Sequence, residues 1–242
     1  MKRINIIRAF TFLFMGSLFV ISCEKSDTET ELPKNDAQEE GFKSVTGNND
    51  SVSEETSEVL SPVLQLQYDA SMSKEDVEAA SEKEVAKYIK ENKSAAKSTE
   101  WFYKVQTNTG TQSNNDTDGN VWARVNFLTD AGHRHLSWMK LDHAWPYNDH
   151  EGGWGVYLFR STTQNPSIGW LEAENATLAL QGTDGWYVKN FDIHVHTSYQ
   201  SGSASGSTHV FSSPEVWLDN NTSSGWDYYS TGNVGSGRMN FN

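Results

Sequence analysis

The sequence has little cysteine, few basic side chains, and no tryptophan in its first hundred residues. A single Cys among 242 residues excludes a framework of intramolecular disulfides. With 19 Lys and Arg against 32 Asp and Glu, the net charge is −13, which excludes the basic face that nucleic-acid binding requires. All nine tryptophans lie between Trp101 and Trp226. The apolar material for one core is therefore concentrated in roughly the last 140 residues.

Motifs for catalysis are also missing. The sequence contains no His-Glu-x-x-His, no Gly-x-Ser-x-Gly and no glycine-rich phosphate loop. Glu172 and Glu174 share one face of a predicted strand, which is a weak indication of glycoside hydrolysis. We expect no enzymatic activity, and a secreted hydrolase is the least favoured alternative.

The first 22 residues have the features of an export signal. A positively charged start precedes the uncharged, mostly apolar run 9–21, which is too short to span a bilayer comfortably. Val20-Ile21-Ser22-Cys23 resembles the lipobox of bacterial lipoproteins, and the acidic segment after it resembles that of Bacteroidetes lipoproteins sent to the cell surface. This resemblance implies a signal peptide over residues 1–22 and anchoring in the outer membrane through Cys23 carrying acyl chains such as palmitate. The alternative is an ordinary cleaved secretory peptide.

A tether and one helix are predicted next. Residues 23–72 are dominated by acidic, hydroxyl and amide side chains, which predicts a disordered acidic stalk. Ser73 and Asp76 have the spacing of a capping box, and the apolar residues that follow lie on one narrow stripe. The pattern predicts an amphipathic helix over 73–95, which packs on the domain or spaces it from the anchor. The less favoured alternative is a helix that binds a partner.

Alternating apolar and polar residues predict strands in the Trp-rich region. The expected strands are 101–107, 121–128, 136–141, 154–159, 170–180, 186–195 and 210–218. No run there longer than about ten residues has helical periodicity. We predict an all-β fold, an antiparallel β-sandwich of about eight strands, over 101–219. The Gly-, Asn- and Ser-rich segment 220–242 is expected to be an edge hairpin or a loose tail, with weaker short strands at Tyr228 and Met239.

Several motifs in this region, taken in order, resemble those of PLAT/LH2 domains. They are Tyr103-Lys104-Val105-Gln106-Thr107-Asn108-Thr109-Gly110, Thr117-Asp118-Gly119-Asn120-Val121-Trp122, Ser167-Ile168-Gly169-Trp170-Leu171, Gly185-Trp186-Tyr187-Val188 and Val210-Phe211-Ser212-Ser213-Pro214-Glu215-Val216-Trp217-Leu218. The resemblance implies a non-catalytic sandwich that docks on lipid or protein, in some members with Ca²⁺ at one end. The alternative is another Trp-rich sandwich, such as a carbohydrate-binding module.

The resemblance makes two turns a candidate Ca²⁺ site. Asp116, Asp118 and Asn120 lie in one turn, and Asp149 and Glu151 lie in another. Ca²⁺ requires six to eight hard oxygen ligands, so the two turns must meet at one end of the sandwich. The family's second acidic block carries an Asp that is missing from the segment 152–157 of this sequence. The same residues are equally typical of turns that bind no metal.

Aromatic residues near turns are candidates for ligand contact. Strand tryptophans, including Trp217, are expected in the core, whereas Trp138, Trp145, Tyr147 and Trp154 lie near turns. An exposed amphipathic ring at such a turn can insert at a membrane interface or stack on a sugar. Because an acidic domain is repelled by anionic lipid, the charge favours a protein or glycan ligand.

Two histidine pairs complete the candidates. His133 and His135, like His194 and His196, have the i, i+2 spacing that places both rings on one face of a strand. Two such pairs bind Zn²⁺ if their strands are adjacent, and otherwise they are solvated surface residues.

Overall fold

Within the residues that the structure describes, the fold consists of twelve strands and one α-helix. The computed structural model describes residues 59–92, 100–111, 114–135, 138–141, 152–162, 168–182, 184–200, 202–219 and 225–241. The strands are β1 (Leu64–Asp69), β2 (Glu100–Thr109), β3 (Asn120–Thr129), β4 (Gly132–His135), β5 (Met139–Lys140), β6 (Gly153–Thr162), β7 (Trp170–Gln181), β8 (Trp186–His196), β9 (Ala204–Ser212), β10 (Val216–Leu218), β11 (Trp226–Ser230) and β12 (Ser236–Phe241). The helix is α1 (Lys74–Glu91), and a 3-10 turn spans Thr197–Tyr199.

The strands form a folded antiparallel sheet. Hydrogen bonds connect them in the order β1-β6-β2-β8-β9-β12-β7-β3-β4, with β10 beside β8, β11 beside β7 and β5 beside β3. The sheet folds over on itself, because Trp101 of β2 and Phe127 of β3 lie far apart along this order yet their ring centroids are 5.2 Å apart. The prediction of an all-β, antiparallel β-sandwich is confirmed, with more strands than the eight expected.

Alternate residues of the strands fill the interior of the sandwich. In β8, Val188, Phe191, Ile193 and Val195 are all fully buried, as the alternation predicts. Trp186, at the start of the same strand, is also fully buried, and its indole Nε1 donates a hydrogen bond of 2.8 Å to Thr109 Oγ1 of β2. A large ring whose polar atom has a partner can be buried without a desolvation penalty.

Strand β1 corrects the prediction of a disordered stalk that continues to residue 72. It pairs with β6 over its whole length. Leu66 and Tyr68 pack with Met72 against Val77 of α1 and against Trp154. Only three apolar residues alternate in β1. That pattern is too weak to predict a strand within an acidic segment that has few aromatic residues.

Strands β11 and β12 confirm the short strands expected at Tyr228 and Met239, but they exclude a loose tail and β12 does not lie at an edge. β12 is an interior strand between β9 and β7, and β11 pairs with β7. Gly206 of β9 and Gly237 of β12 have φ values of 81° and 80°, and a side chain on either would collide with a carbonyl oxygen of the other strand. These glycines allow the two strands to approach each other closely, and they do not indicate a loose tail.

Two further differences concern strand boundaries. The predicted strand 210–218 is two strands, β9 and β10, because Pro214 is followed by Glu215 at φ 48°. Both strands run alongside β8. The short strand β4, which pairs with β3, lies outside the predicted set.

Helix α1 covers the outer face of one half of the sheet. Ser73 caps its N-terminus, and the Ser73 hydroxyl oxygen accepts a hydrogen bond from the backbone N–H of Asp76 at 3.1 Å. Its buried side chains are Val77, Ser81, Val85 and Ile89. Within the described residues, no helix combines the length and apolar character that crossing a bilayer requires.

Candidate functional site

Two turns and one short strand meet at one end of the sandwich. The backbone N–H of Tyr187 donates to the carbonyl oxygen of Asn115 at 3.1 Å, and the Thr117 hydroxyl donates to the carbonyl oxygen of Asp184 at 3.2 Å. Trp217 of β10 lies opposite Tyr187 in the sheet register. We call the surface formed by Gly110, 114–119, 184–187 and Trp217 the loop edge.

The turn 114–119 alternates buried and solvent-facing side chains. Asn115 and Thr117 are buried, whereas Asp116 and Asp118 are exposed. The backbone N–H of Asp118 donates to Asp184 Oδ2 at 3.0 Å, which ties the turn to the neighbouring loop. The turn therefore holds two carboxylates toward solvent on a fixed backbone.

The predicted Ca²⁺ ligands divide into three groups. Asp116 and Asp118 lie together on the loop edge. Asn120 lies on β3, where its Nδ2 donates to Gln181 Oε1 at 3.5 Å. Asp149 and Glu151 lie outside the described residues. In the part of the chain that the structure describes, no three His, Cys, Asp or Glu side chains are arranged to hold a metal ion.

The start of β6 lies beside the loop edge. Gly153 pairs with Thr109 at the end of β2, and a methyl group added to Gly152 would lie 3.8 Å from the carbonyl oxygen of Gly110. The chain therefore enters β6 beside Gly110 of the loop edge.

Trp217 gives the loop edge an exposed aromatic ring, against the expectation that it belongs to the core. It is 40% exposed, and its ring centroid lies 5.4 Å from that of Tyr187. The Tyr187 ring in turn lies over Gly110, where any side chain would collide with it. The outward position follows from alternation, since Leu218 is buried and its neighbour must face the other side.

The four aromatic residues proposed from sequence do not form an exposed platform within the described residues. Trp138 and Trp154 are only 9% and 5% exposed. Trp154 Nε1 donates to the carbonyl oxygen of Met72 at 3.1 Å, and Trp138 packs in a cluster with Trp122 and Trp226. The expectation that these two rings are exposed is wrong, because β1, α1 and β11 cover them. Trp145 and Tyr147 lie outside the described residues.

The lipid-anchor prediction concerns residues that the structure does not describe. The signal peptide 1–22, Cys23 and the stalk as far as residue 58 all lie outside the described ranges.

A polar network joins α1 to the outer face of β2 and β8. Lys74 Nζ lies 2.7 Å from Asp192 Oδ2, and Glu78 Oε1 lies 3.4 Å from Lys104 Nζ and 3.5 Å from His194 Nδ1. Lys104 and Asp192 are only 2% and 4% exposed. Burial lowers the pKa of Lys104 and raises the pKa of Asp192, because desolvation disfavours the charged form of each. The sequence does not predict this network. Lys104 is on the outward face of β2, which strand alternation predicts to be exposed, but α1 covers that face.

Glu78 makes the stability of the protein depend on pH. The hydrogen bond from His194, helped by the charge of Lys104 and opposed by burial, lowers the pKa of the Glu78 carboxyl to about 2 from its ordinary 4.5. A depressed carboxyl pKa stabilises the fold above pH 4.5, and this contribution is lost as the pH falls toward 2. We expect Glu78→Gln to lower the free energy of unfolding at neutral pH, and the gap from the wild type to narrow across that acidic window.

Urea unfolding of both proteins at a series of pH values measures this gap. Glu75→Gln is the matched control, because Glu75 is an exposed residue of the same helix. A gap that stays constant from neutral pH to pH 2 would contradict the assignment.

The histidine and glutamate pairs found in the sequence have separate partners. His133 Nδ1 lies 2.9 Å from Glu174 Oε2, and Arg238 Nε lies 2.7 Å from Glu172 Oε1. The His194 ring instead contacts its strand neighbour His196. The structure therefore does not bring His133 and His194 together around one site.

No protein-family model matches this sequence, and no curated protein matches it either. Among solved structures, coral 8R-lipoxygenase, which is described as activated by calcium through a C2-like domain, is 20% identical with a TM-score of 0.33, and the match covers 53% of this chain and 16% of that chain. Clostridium perfringens alpha-toxin is 16% identical with a TM-score of 0.38, and the match covers 58% of this chain and 33% of that chain. Each match thus spans about half of this chain and a third or less of the other protein.

Proposed function

We propose that this chain is a non-catalytic binding module, held at the bacterial outer membrane by acylated Cys23, that engages a protein or lipid ligand at the loop edge. The observation that carries the proposal is that three exposed side chains, those of Trp217, Asp116 and Asp118, all belong to the loop edge. Hydrogen bonds to Asp184 and Tyr187 hold this arrangement in place before any ligand arrives, which lowers the entropic cost of binding.

Ca²⁺ is the cofactor that suits these groups. Asp116 and Asp118 supply hard carboxylate oxygens, which Ca²⁺ prefers, but two residues alone do not complete its coordination. Asp149 and Glu151 belong to the segment that joins β6 at Gly152, beside Gly110, and are the proposed source of further ligands. When bound, the ion offsets negative charge on a chain of net charge −13, which otherwise repels anionic surfaces.

Calorimetric titration of the protein with Ca²⁺ tests the proposal. We expect the wild type to bind Ca²⁺, and Asp116→Asn and Asp118→Asn each to weaken binding about tenfold or more, since each removes a charged ligand. Glu91→Gln, an exposed acidic residue at the end of α1, is the matched control and should leave binding unchanged. Absence of Ca²⁺ binding, or equal loss in the control, would refute the Ca²⁺ site.

A second measurement identifies the ligand class. Vesicles of phosphatidylcholine and phosphatidylserine are sedimented with the protein in Ca²⁺ and again in chelator. Ca²⁺-dependent sedimentation that is lost in Trp217→Ala assigns a lipid ligand, whereas Ca²⁺ binding without sedimentation assigns a protein.

A further inference from the structure

An open groove of about 600 Å³ lies on the outer face of the sheet, away from the loop edge. It lies over the line along which the segment 233–238 packs against β7. On β7 the groove reaches as far as Glu174, and β7 meets the loop edge at its other end, near Gln181, so about 23 Å of strand separates the two surfaces. The lining is formed by Leu128, Glu172, Ala173, Glu174, Asn233, Gly235, Ser236, Gly237 and Arg238.

The charged groups of the groove are paired with each other or with a neighbour. Arg238 Nε contacts Glu172 Oε1 at 2.7 Å, and His133 Nδ1 contacts Glu174 Oε2 at 2.9 Å. Asn233 Oδ1 accepts a hydrogen bond of 2.9 Å from the side chain of Asn175. The surface therefore offers donors and acceptors side by side, without a strong excess of either charge.

Two contacts hold the polar groups in place. The guanidinium carbon of Arg238 lies 3.9 Å from the ring centroid of Trp170, so that the indole fixes the plane of the donor fork. Backbone hydrogen bonds hold the start of this segment, since Gly235 N–H donates to the carbonyl oxygen of Glu174 at 2.9 Å and Thr231 N–H donates to that of Ala176 at 3.0 Å. These bonds lay the segment that carries Asn233 directly onto β7.

The strand pairing and the lining limit what the groove accepts. A peptide strand cannot add to β7, because β3 pairs along one side of it and β11, β12 and the segment 231–235 occupy the other. Leu128 and Ala173 are the apolar residues in the lining, which is too little for a pocket that anchors an apolar side chain. The paired charges do not favour a strongly ionic ligand.

We propose that this groove binds a neutral oligosaccharide. Each sugar hydroxyl both donates and accepts a hydrogen bond, which matches a surface where carboxylates alternate with amide and guanidinium groups. Glu172 and Glu174 accept from hydroxyls, while Asn233 and Arg238 donate to them. Trp170 is a positioning residue that acts through Arg238. The site is independent of Ca²⁺ and of the loop edge.

Calorimetric titration of the protein with neutral hexasaccharides of glucose, xylose, mannose and N-acetylglucosamine, each in the presence of a Ca²⁺ chelator, tests the proposal. We expect at least one to bind. Asn233→Ala and Glu174→Ala should each weaken it about tenfold or more, since a hydrogen bond to a charged or fixed polar group is lost. Trp217→Ala, on the loop edge, should bind like the wild type.

Several results would overturn the proposal. The proposal is wrong if no hexasaccharide binds, if binding survives both Asn233→Ala and Glu174→Ala, or if Trp217→Ala abolishes binding. Arg238→Lys guards against a folding artefact, because it keeps the charge but loses the fork and the stacking on Trp170. A folded Arg238→Lys protein, judged by an unchanged melting temperature, should still show weakened binding. Failure of Ca²⁺ binding in the earlier titration leaves these expectations unaltered.

Discussion

Trp186→Ala should lower the free energy of unfolding by about 3–5 kcal/mol, the usual cost of removing a large buried aromatic side chain. Trp186 is fully buried, and its truncation leaves a cavity between β8 and the opposite layer while the Thr109 hydroxyl loses its partner. Urea unfolding followed by circular dichroism measures the effect.

Two variants separate the causes of that loss. Trp186→Phe retains most of the apolar bulk but not the indole N–H, and we expect it to cost about 1 kcal/mol for the lost hydrogen bond plus a smaller cavity term. Trp217→Ala removes the same side chain from a position that is 40% exposed, so it should cost much less. Equal losses for Trp186→Ala and Trp217→Ala would show that the core is assigned wrongly.

Gly235→Ala should lower the free energy of unfolding by about 1–3 kcal/mol. A Cβ at this position would collide with the carbonyl oxygen of Ala173 and approach the Cα of Glu174 to 2.8 Å. Both are backbone atoms, so that relief requires the segment to move away from β7 and to break the hydrogen bond from Gly235 to Glu174. Thermal and urea unfolding measure the loss.

Gly202→Ala is the matched control for this change. An added methyl there meets no atom within 4 Å, and Gly202 has no positive φ, so its effect should stay within about 0.5 kcal/mol. If Gly235→Ala is equally mild, then the close approach between the two segments is incorrect. Gly235→Ala should also weaken hexasaccharide binding, because Asn233 would shift with its segment.

Local alternation was enough to predict the central strands. The predicted ranges 121–128, 170–180 and 186–195 differ by only one residue at either end from β3, β7 and β8. These strands have one face in the core, so that period-two patterning is strong in each. The helix is likewise predictable, since Ser73 and Asp76 specify a cap locally.

What the sequence could not reveal depends on contacts between distant segments. Lys104 is buried only because α1 covers an outward strand face, and Trp154 is buried only because Met72 and Val77 reach it. The groove combines β7 with the segment 233–238, which are about 60 residues apart in the chain and meet only through sheet closure. No pattern within a short window contains that information.

The place of β12 in the sheet also determines when the sandwich can be completed during synthesis. The ladders joining β2, β6 and β8 are ready as soon as β8 has emerged, but β9 acquires its link toward β7 only when Ser236–Phe241 is present. Until then no hydrogen-bonded strand joins β9 to β7. The growing chain exposes the apolar side chains of its strands and an unpaired sheet edge.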